Sequence, residues 1–444
     1  MKRTDNQQKF DALREEFSTF TFERQTVRLE NGTLSLAFDF NLDDRYHFSP
    51  TLEIPSRPFF DWDGLPKDRL EVLAFQIGMT ELVSYWKIAC PKKVVVKPFA
   101  LTERQISFWK KLYYNGLGEF LYLNGITVSE ADLMRIETQP IDSNRTVAAR
   151  NDMDSSWFEE KTLVPIGGGK DSVVTLECLR GKMPVIPLIV NPRGATLNCV
   201  KTAGYKENDY IVINRTLDPT MLKLNAEGYL NGHTPFSALL AFISVLVAFG
   251  SRSRYIALSN ENSANEATVP GTNINHQYSK SIEFERDFRS YVAENLSDKV
   301  QYFSFLRPLS ELQIASLFAQ CEAYHAVFRS CNAGSKTDSW CGHCPKCLFT
   351  WIILSPFLSK EKLVAIFGKD LMADESLRPV YEELNGTAAV KPFECVGTVE
   401  EVRACINAVE HQDFTEVKAI LNRFNPEHFL PEQFEQILKS RLYV

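Results

Sequence analysis

Hydrophobic and polar residues alternate in the first part of the chain, whereas continuous apolar runs appear after about residue 160. The stretch TVRLENGTLSLAFDFNL alternates around an Asn-Gly pair, which is typical of two strands joined by a tight turn. The stretch ERQISFWKKLYYNGLGEFLYLNG has the apolar spacing of a helix. Residues 1–155 are therefore predicted to form an α+β region, and we expect it to contribute to substrate recognition.

A polar stretch without clear periodicity, residues 143–161, is predicted to be a linker. After it, apolar strands alternate with helices: TLVPI, MPVIPLIV, DYIVINR and RYIALS are predicted strands, and DSVVTLECLRG and residues 235–250 are predicted helices. Strands that are apolar throughout and separated by helices indicate a parallel, doubly wound sheet covered on both faces. Residues 156–310 are thus predicted to be an α/β domain, and residues 311–444 a mainly helical region.

Composition and charge exclude some classes of protein. The chain has 444 residues, 44% of them hydrophobic and 24% charged, and a net charge of -7, which disfavours binding of nucleic acid along a broad surface. Its first residues lack the apolar core of a secretory signal, so we expect a cytoplasmic protein. The apolar run at 235–250 is too short to span a bilayer, so we expect a buried helix and no membrane insertion.

Three glycines followed by Lys170, Asp171 and Ser172 connect a predicted strand to a predicted helix. Backbone N–H groups converge in such a turn, and the helix dipole favours negative charge, so the turn is a candidate phosphate site. The spacing does not fit the P-loop, because Val164 stands at the place of its first glycine. It does not fit the dinucleotide turn either, because Ser172 replaces the third glycine. The alternative to a phosphate site is an ordinary glycine-rich turn that binds no ligand.

The turn resembles the pyrophosphate loop (PP-loop) of the N-type ATP pyrophosphatases, and the matching residues are Gly168, Gly169, Lys170, Asp171 and Ser172, with Gly167 at the place of the usual first serine. The resemblance implies a PP-loop fold of the adenine nucleotide α-hydrolase-like type. It also implies that the loop glycines and serine hold the pyrophosphate of ATP and that Asp171 helps to bind Mg²⁺. Lys170 and Mg²⁺ would neutralise the charge that builds up on the phosphates.

Asn260 and Glu261 follow a predicted buried strand. Ligands of parallel sheets bind beyond the carboxyl ends of the strands, so these residues are predicted to contact the nucleotide or Mg²⁺. An Asx turn without a ligand is the alternative.

Four cysteines are spaced C-x9-C-x2-C-x2-C, and they are Cys331, Cys341, Cys344 and Cys347. This pattern predicts a structural Zn²⁺ site with four thiolate ligands, with an iron–sulfur cluster or reduced, metal-free cysteines as alternatives. The arrangement is similar to the zinc site of 7-cyano-7-deazaguanine synthase, which also has a PP-loop. His343 lies between the ligands and is predicted to be a surface residue.

Several longer segments occur in this order: LNGHTPFSALLAF, ALSNENSANEA, INHQYSKSIEFE, FLRPLSELQIASLF, the cysteine cluster and KPFECVGTVEE. Together they resemble the UDP-N-acetyl-α-D-muramoyl-L-alanyl-L-glutamate epimerase family. The resemblance spans about residues 70–430. It implies that the protein inverts the terminal L-Glu of UDP-MurNAc-L-Ala-L-Glu to D-Glu. It further implies that ATP and Mg²⁺ are used and that AMP and diphosphate are released.

Epimerisation needs an acid and a base at the glutamate Cα. His276 and His233 are predicted to be this pair because imidazole titrates near neutral pH. Other candidates for proton transfer are Tyr278, Lys280 and Glu261. Hydrogen-bonded structural roles are the alternative for each.

The substrate also carries carboxylate and diphosphate groups. The residues predicted to bind it are Arg307, Lys280, Tyr278 and Asn262, of which the two cations suit charge-assisted hydrogen bonds. Surface ion pairs are the alternative for Arg307 and Lys280.

Two other functions remain compatible with these motifs. PP-loop enzymes that modify nucleobases or tRNA also form adenylates, although a tRNA substrate calls for a basic groove. A protein that binds ATP without turnover would form no AMP with any peptide.

Overall fold

The computed structural model describes residues 3–140, 146–147, 155–269, 271–272 and 274–442. The predicted linker therefore lies largely outside the described residues, at 143–145 and 148–154. The described strands are β1 (Thr19–Glu30), β2 (Thr33–Leu42), β3 (Tyr46–Phe48), β4 (Thr51–Ile54), β5 (Lys93–Val96), β6 (Arg135–Thr138), β7 (Glu159–Pro165), β8 (Val185–Val190), β9 (Ile211–Thr216), β10 (Ser253–Leu258) and β11 (Gln301–Ser304). The described α-helices are α1 (Gln7–Glu16), α2 (Lys67–Trp86), α3 (Glu103–Gly116), α4 (Gly118–Leu123), α5 (Glu130–Leu133), α6 (Lys170–Leu179), α7 (Gly194–Thr202), α8 (Pro219–Ala226), α9 (Phe236–Gly250), α10 (Ile282–Asn295), α11 (Glu311–Ala319), α12 (Pro345–Leu354), α13 (Lys360–Phe367), α14 (Arg378–Leu384), α15 (Val399–Glu410), α16 (Thr415–Leu421) and α17 (Glu432–Leu442).

The chain divides into two compact units, of which the first gathers the segments Met1–Glu159, Val212–Arg254 and Tyr278–Gln301. Its strands follow the order β9-β4-β2-β1-β5-β6, and β3 also pairs with β2. The predicted hairpin is confirmed: β1 and β2 pair antiparallel, and Asn31 and Gly32 have the positive φ angles that a tight hairpin turn needs. Helix α9 is buried along most of its length and packs against α2, as its apolar sequence predicts.

The second unit gathers Glu160–Ile211, Tyr255–Gln277 and Tyr302–Val444, and its strands follow the order β11-β10-β7-β8. Strands β7 and β8 run parallel, and each is followed by a helix, α6 and α7. The predicted strand–helix pattern is therefore confirmed here, as is the helical region that begins with α11. The last four residues of β7 and the central four of β8 are buried, which is typical of strands with both faces covered. The carboxyl end of β7 leads directly into the glycine turn.

Among the described residues, every helix is too short or too polar to cross a membrane.

Candidate active site and cysteine centre

The glycine turn connects the carboxyl end of β7 to the first residue of α6. Gly168 has a φ of +81°, and a Cβ at this position would lie 3.0 Å from Thr196 N and from the Ala195 side chain. A larger residue would therefore be strained and would press against the start of α7. Gly167 is exposed, and a Cβ there would meet no described atom within 4 Å. The turn is thus packed at Gly168 and open at Gly167.

The first turn of α6 follows Gly169 immediately. Ser172 Oγ donates a hydrogen bond to Gly169 O at 3.0 Å, which ties the helix to the turn. The first N–H groups of a helix have no acceptor within the helix, and they carry the positive end of its dipole. This arrangement can bind an anion such as a phosphate group.

Two acidic side chains hold the Lys170 ammonium group. Lys170 is 4% exposed, and its Nζ lies 2.5 Å from Asp171 Oδ1 and also contacts Glu311 Oε2. Glu311 is the first residue of α11, which packs against α6. Ser310 and Gln313 form a capping box that sets the start of α11. The capping box therefore fixes the helix start at which Glu311 stands.

Glu261 brings a third carboxyl group to this cluster. One carboxylate oxygen from each of Asp171, Glu261 and Glu311 lies within 4.8 Å of the others. Burial raises the pKa of Glu311 well above its usual range, and although Lys170 opposes this shift, the charges of Asp171 and Glu261 add to it. Burial alone would lower the pKa of Lys170, but its two carboxylate partners raise it, so the ammonium stays charged. Carboxylate oxygens are hard ligands of the kind that Mg²⁺ binds, usually one or two of them together with water and phosphate oxygens.

Arg307 supports the backbone beside Glu261. Its side chain is fully buried, Nη1 donates to Glu261 O at 2.6 Å, and Nη2 donates to Ser304 Oγ at 3.2 Å. Asn260 Nδ2 donates to the same Ser304 hydroxyl at 3.0 Å. These hydrogen bonds hold the loop after β10 and thereby position Glu261. Substrate binding by Arg307 stays a prediction.

Two further predicted residues lie elsewhere in the second unit. Asn262 Oδ1 accepts a hydrogen bond from Asn425 Nδ2 at 2.6 Å. The His276 backbone N–H donates to Thr268 Oγ1 at 3.0 Å, and His276 is half-buried. Both residues follow β10 in the chain: Asn262 begins a short 3-10 helix (Asn262–Asn265), and His276 lies in the loop after it.

In the first unit, His233 lies next to a buried carboxylate. Its Nδ1 is 3.7 Å from Glu119 Oε2, and Glu119 is 5% exposed. Gly232 precedes the histidine, and its carbonyl accepts a hydrogen bond from Lys87 Nζ at 2.5 Å. Burial lowers the pKa of Lys87 to about 8, which is close to the range useful for proton transfer. Lys87 and Glu119 are far from His233 in sequence, and no motif points to them.

Tyr278 and Lys280 belong to a 3-10 turn that precedes α10. Tyr278 is buried against Phe284, with 6.2 Å between the ring centroids. Burial raises the pKa of the Tyr278 phenol, and the nearby carboxylates, Glu283 first among them, raise it further. Tyr278 is therefore protonated at neutral pH and can donate a hydrogen bond, but it is unsuited to act as a base. Lys280 is half-buried.

The four cysteines converge at the start of α12. Three pairs of sulfur atoms are close: Cys331 to Cys344 at 3.7 Å, Cys341 to Cys347 at 3.7 Å, and Cys344 to Cys347 at 3.5 Å. Four sulfurs bound tetrahedrally to one Zn²⁺ at about 2.3 Å lie about 3.8 Å apart, so the geometry fits such an ion. A disulfide needs about 2.05 Å between its sulfurs.

The surroundings of the cluster also fit a bound cation. The hydrogen bond with Cys347 lowers the pKa of Cys344 to about 5, which favours the negatively charged thiolate. Cys344 is the N-cap of α12, where the helix dipole stabilises the same charge. His343 is exposed, and its Nδ1 lies 2.9 Å from Cys341 O, which agrees with the predicted surface position.

Together, these features define a mixed α/β protein whose second unit carries a glycine turn, a buried cluster of one lysine with three carboxyl groups, and a four-cysteine centre. Models of two protein families match the chain: the MurL N-terminal domain over residues 11–305 and the MurL C-terminal domain over residues 327–436. The chain therefore belongs to the MurL family.

Curated relatives cover most of the chain. The UDP-N-acetyl-alpha-D-muramoyl-L-alanyl-L-glutamate epimerase of Micromonospora sp. is 36% identical over 89% of this chain and 87% of its own length. Proteins of the same name from Salinispora tropica and Xanthomonas oryzae pv. oryzae are 35% and 32% identical, over 88% and 92% of this chain and 85% and 89% of their own lengths. No solved structure matches the chain significantly.

Proposed function

We propose that this protein inverts the terminal L-Glu of UDP-MurNAc-L-Ala-L-Glu to D-Glu, with ATP as co-substrate and AMP and diphosphate as products. The observation that carries the proposal is the buried cluster of Lys170 with three carboxyl groups at the end of the glycine turn. The names of the curated relatives support the same substrate, because those relatives match along most of this chain.

We assign β7, the glycine turn and α6 to the pyrophosphate loop of an ATP pyrophosphatase fold. The open backbone at Gly167 and the N–H groups of α6 would bind the phosphates that leave as diphosphate. Lys170 would neutralise negative charge that builds up on this leaving group. Its burial keeps the ammonium in place before the reaction, so little reorganisation is needed.

The three carboxyl groups fit a bound Mg²⁺. Asp171, Glu261 and Glu311 offer hard oxygen ligands within 4.8 Å of one another. Burial is the main cause of the raised pKa of Glu311, and the neighbouring carboxylates of Asp171 and Glu261 add to it, so a cation bound here would favour the charged form. When bound, Mg²⁺ supplies Lewis-acid neutralisation of the phosphate charge.

Adenylation explains why an epimerase would need an ATP site. The Cα proton of a free glutamate is weakly acidic, because the carbanion would form beside a negative carboxylate. An adenylated α-carboxylate has lost that charge and can delocalise the developing enolate. A base can then remove the Cα proton, and an acid can return a proton to the opposite face. Hydrolysis of the adenylate releases the D-epimer.

His233 and His276 are our candidates for the acid and the base. The Glu119 carboxylate lies 3.7 Å from His233 Nδ1, a distance at which its charge would stabilise the protonated ring. His276 follows the loop that carries Glu261 in the sequence. Lys87, with its pKa of about 8, is a further group that could exchange protons near His233.

The proposal is tested with purified protein, ATP, Mg²⁺ and UDP-MurNAc-L-Ala-L-Glu in D₂O. We expect AMP to form only when the sugar peptide is present, and D-Glu to carry deuterium at Cα. AMP release is followed by chromatography, and the configuration by chiral analysis after hydrolysis. A folded protein that forms neither AMP nor D-Glu would refute the epimerase function and redirect the search to nucleobase substrates.

The same assay separates the two histidines. His233→Asn and His276→Asn are each expected to lower the rate of deuterium incorporation by about 10²- to 10⁴-fold if the residue transfers a proton. His411→Asn changes an exposed histidine and serves as the matched control. A variant that exchanges deuterium at the control rate would exclude its histidine as acid or base.

The cysteine centre gives an independent prediction. Cys344→Ser is expected to lose the bound metal, about one ion per chain in the parent protein, and to lower Tm, because a structural Zn²⁺ contributes directly to folding. Elemental analysis and thermal unfolding measure both effects. Cys321→Ser, outside the cluster, should keep the metal. Equal metal content in all three proteins would contradict the assignment.

A further inference from the structure

The segment just before the cysteine cluster lies against the glycine turn. Arg329 N donates a hydrogen bond to Gly168 O at 2.7 Å. At the next residue, Ser330 Cβ would be only 3.2 Å from a Cβ added to Gly169. Cys331, the first member of the cluster, follows at once and is 2% exposed. The turn and the cysteine cluster are therefore connected by a close backbone contact within the second unit.

The guanidinium group of Arg329 has hydrogen-bonding capacity that is not used. Nη1 donates to Phe328 O at 2.6 Å, whereas the buried Nε finds no acceptor among the described residues. A buried donor without an acceptor is costly, and more so when it is charged. The planar fork of a guanidinium group matches the oxygens of a phosphate. The chemistry of the Arg329 side chain and the backbone contact of Arg329 with the turn both suit an anionic ligand.

The Asp338 carboxylate interacts electrostatically with the Arg329 guanidinium: burial lowers the pKa of Arg329, and Asp338 opposes this shift. Its carboxylate lies at the first residue of α7, since a Cβ on Gly194 would collide with it. The start of the same helix also borders Gly168. A carboxylate thus already lies at a helix N-terminus next to the turn, where an anion is stabilised.

We propose that Arg329 is a phosphate-binding residue of the glycine turn, and that the four-cysteine cluster holds the backbone that presents it. The inference rests on the proposed ATP site and adds to it a binding residue and a role for the cluster. A centre with four protein ligands has no open place for substrate. Its proximity to Arg329 explains how such a centre contributes to the site.

The test measures binding of inorganic pyrophosphate with Mg²⁺ to the full-length protein by isothermal titration calorimetry. Arg329→Gln is expected to weaken binding about tenfold or more, the loss that follows when one hydrogen bond to a charged group is removed. Arg329→Lys keeps the charge but not the fork, so a smaller loss is expected. Arg378→Gln changes an exposed arginine that pairs with Glu382 and should bind like the parent. Metal content and Tm are measured for each variant.

The outcomes separate the two proposals. If the parent shows no saturable binding of pyrophosphate with Mg²⁺, the ATP site and the role of Arg329 both fall. If the parent binds and Arg329→Gln binds equally well, only the role of Arg329 is overturned. Should Arg329→Gln fail to fold, the same criterion applies to Arg329→Lys. A folded Cys344→Ser protein with parental affinity would overturn the role given to the cluster.

Discussion

Asp171→Asn is expected to reduce ATP-dependent epimerisation by at least about 10³-fold. The substitution keeps the size of the side chain but removes its charge, so the site loses a predicted Mg²⁺ ligand and Lys170 loses the partner at 2.5 Å. Removal of one group that stabilises the transition state electrostatically typically lowers kcat by about 10²- to 10³-fold. Weaker Mg²⁺ binding would lower the rate further. AMP release and deuterium incorporation are measured together, because both depend on adenylation.

The matched control for this substitution is Asp413→Asn, which neutralises an exposed carboxylate of the same unit. Its AMP release should equal that of the parent. If Asp171→Asn retained deuterium incorporation at more than about a tenth of the parental rate, adenylation at this turn would be contradicted.

Glu311→Leu is expected to lower the free energy of unfolding by about 3 kcal/mol and to abolish AMP release. The variant leaves the buried Lys170 ammonium with Asp171 as its partner in this cluster, and removal of one member of a buried ion pair typically costs about 3–5 kcal/mol. Because Asp171 still pairs with the ammonium group, we expect the loss of stability to lie near the lower end of this range. Chemical denaturation measures the stability, and AMP release the activity.

A double substitution separates stability from function. In Lys170→Met with Glu311→Leu, both charges are replaced by apolar groups, so we expect much of the lost stability to return while AMP release stays absent. Lys362→Met removes one member of an exposed pair with Glu322 and should change the stability by less than about 1 kcal/mol. A double variant that regained activity would refute the role of this ion pair in catalysis.

Local patterns in the sequence were enough to predict the parts of the second unit that surround the turn. Strands β7 and β8 and helix α6 lie where continuous apolar runs and the glycine turn indicate them, because burial on both faces leaves a direct trace in composition. Helix α7 was not predicted, since GATLNCVKT is short and mixed in polarity. The predicted boundaries at 155 and 310 follow chain order, whereas each compact unit gathers separate segments.

Site residues were predicted where their signal is local in the sequence, and they were missed where it comes from a distant part of the chain. The glycine turn, Asp171 and the cysteine spacing are local and could be read directly. Glu311 escaped prediction because it lies 141 positions from Lys170 in the sequence, and its only local signal is the capping box that begins at Ser310. Glu119 and Lys87 likewise reach the neighbourhood of His233 from other elements.

The sequence by itself determined the chemistry that is available: a turn able to bind phosphate, four thiols with metal-ligand spacing, and acidic side chains after apolar strands. Tertiary structure alone decided which charges share one buried space. It placed Glu261 and Glu311 beside Asp171, and Arg329 beside Gly168. The physical reason is that spacing along the chain reports contacts within a helix, a strand or a turn, whereas the energy of a buried charge depends on all groups packed around it.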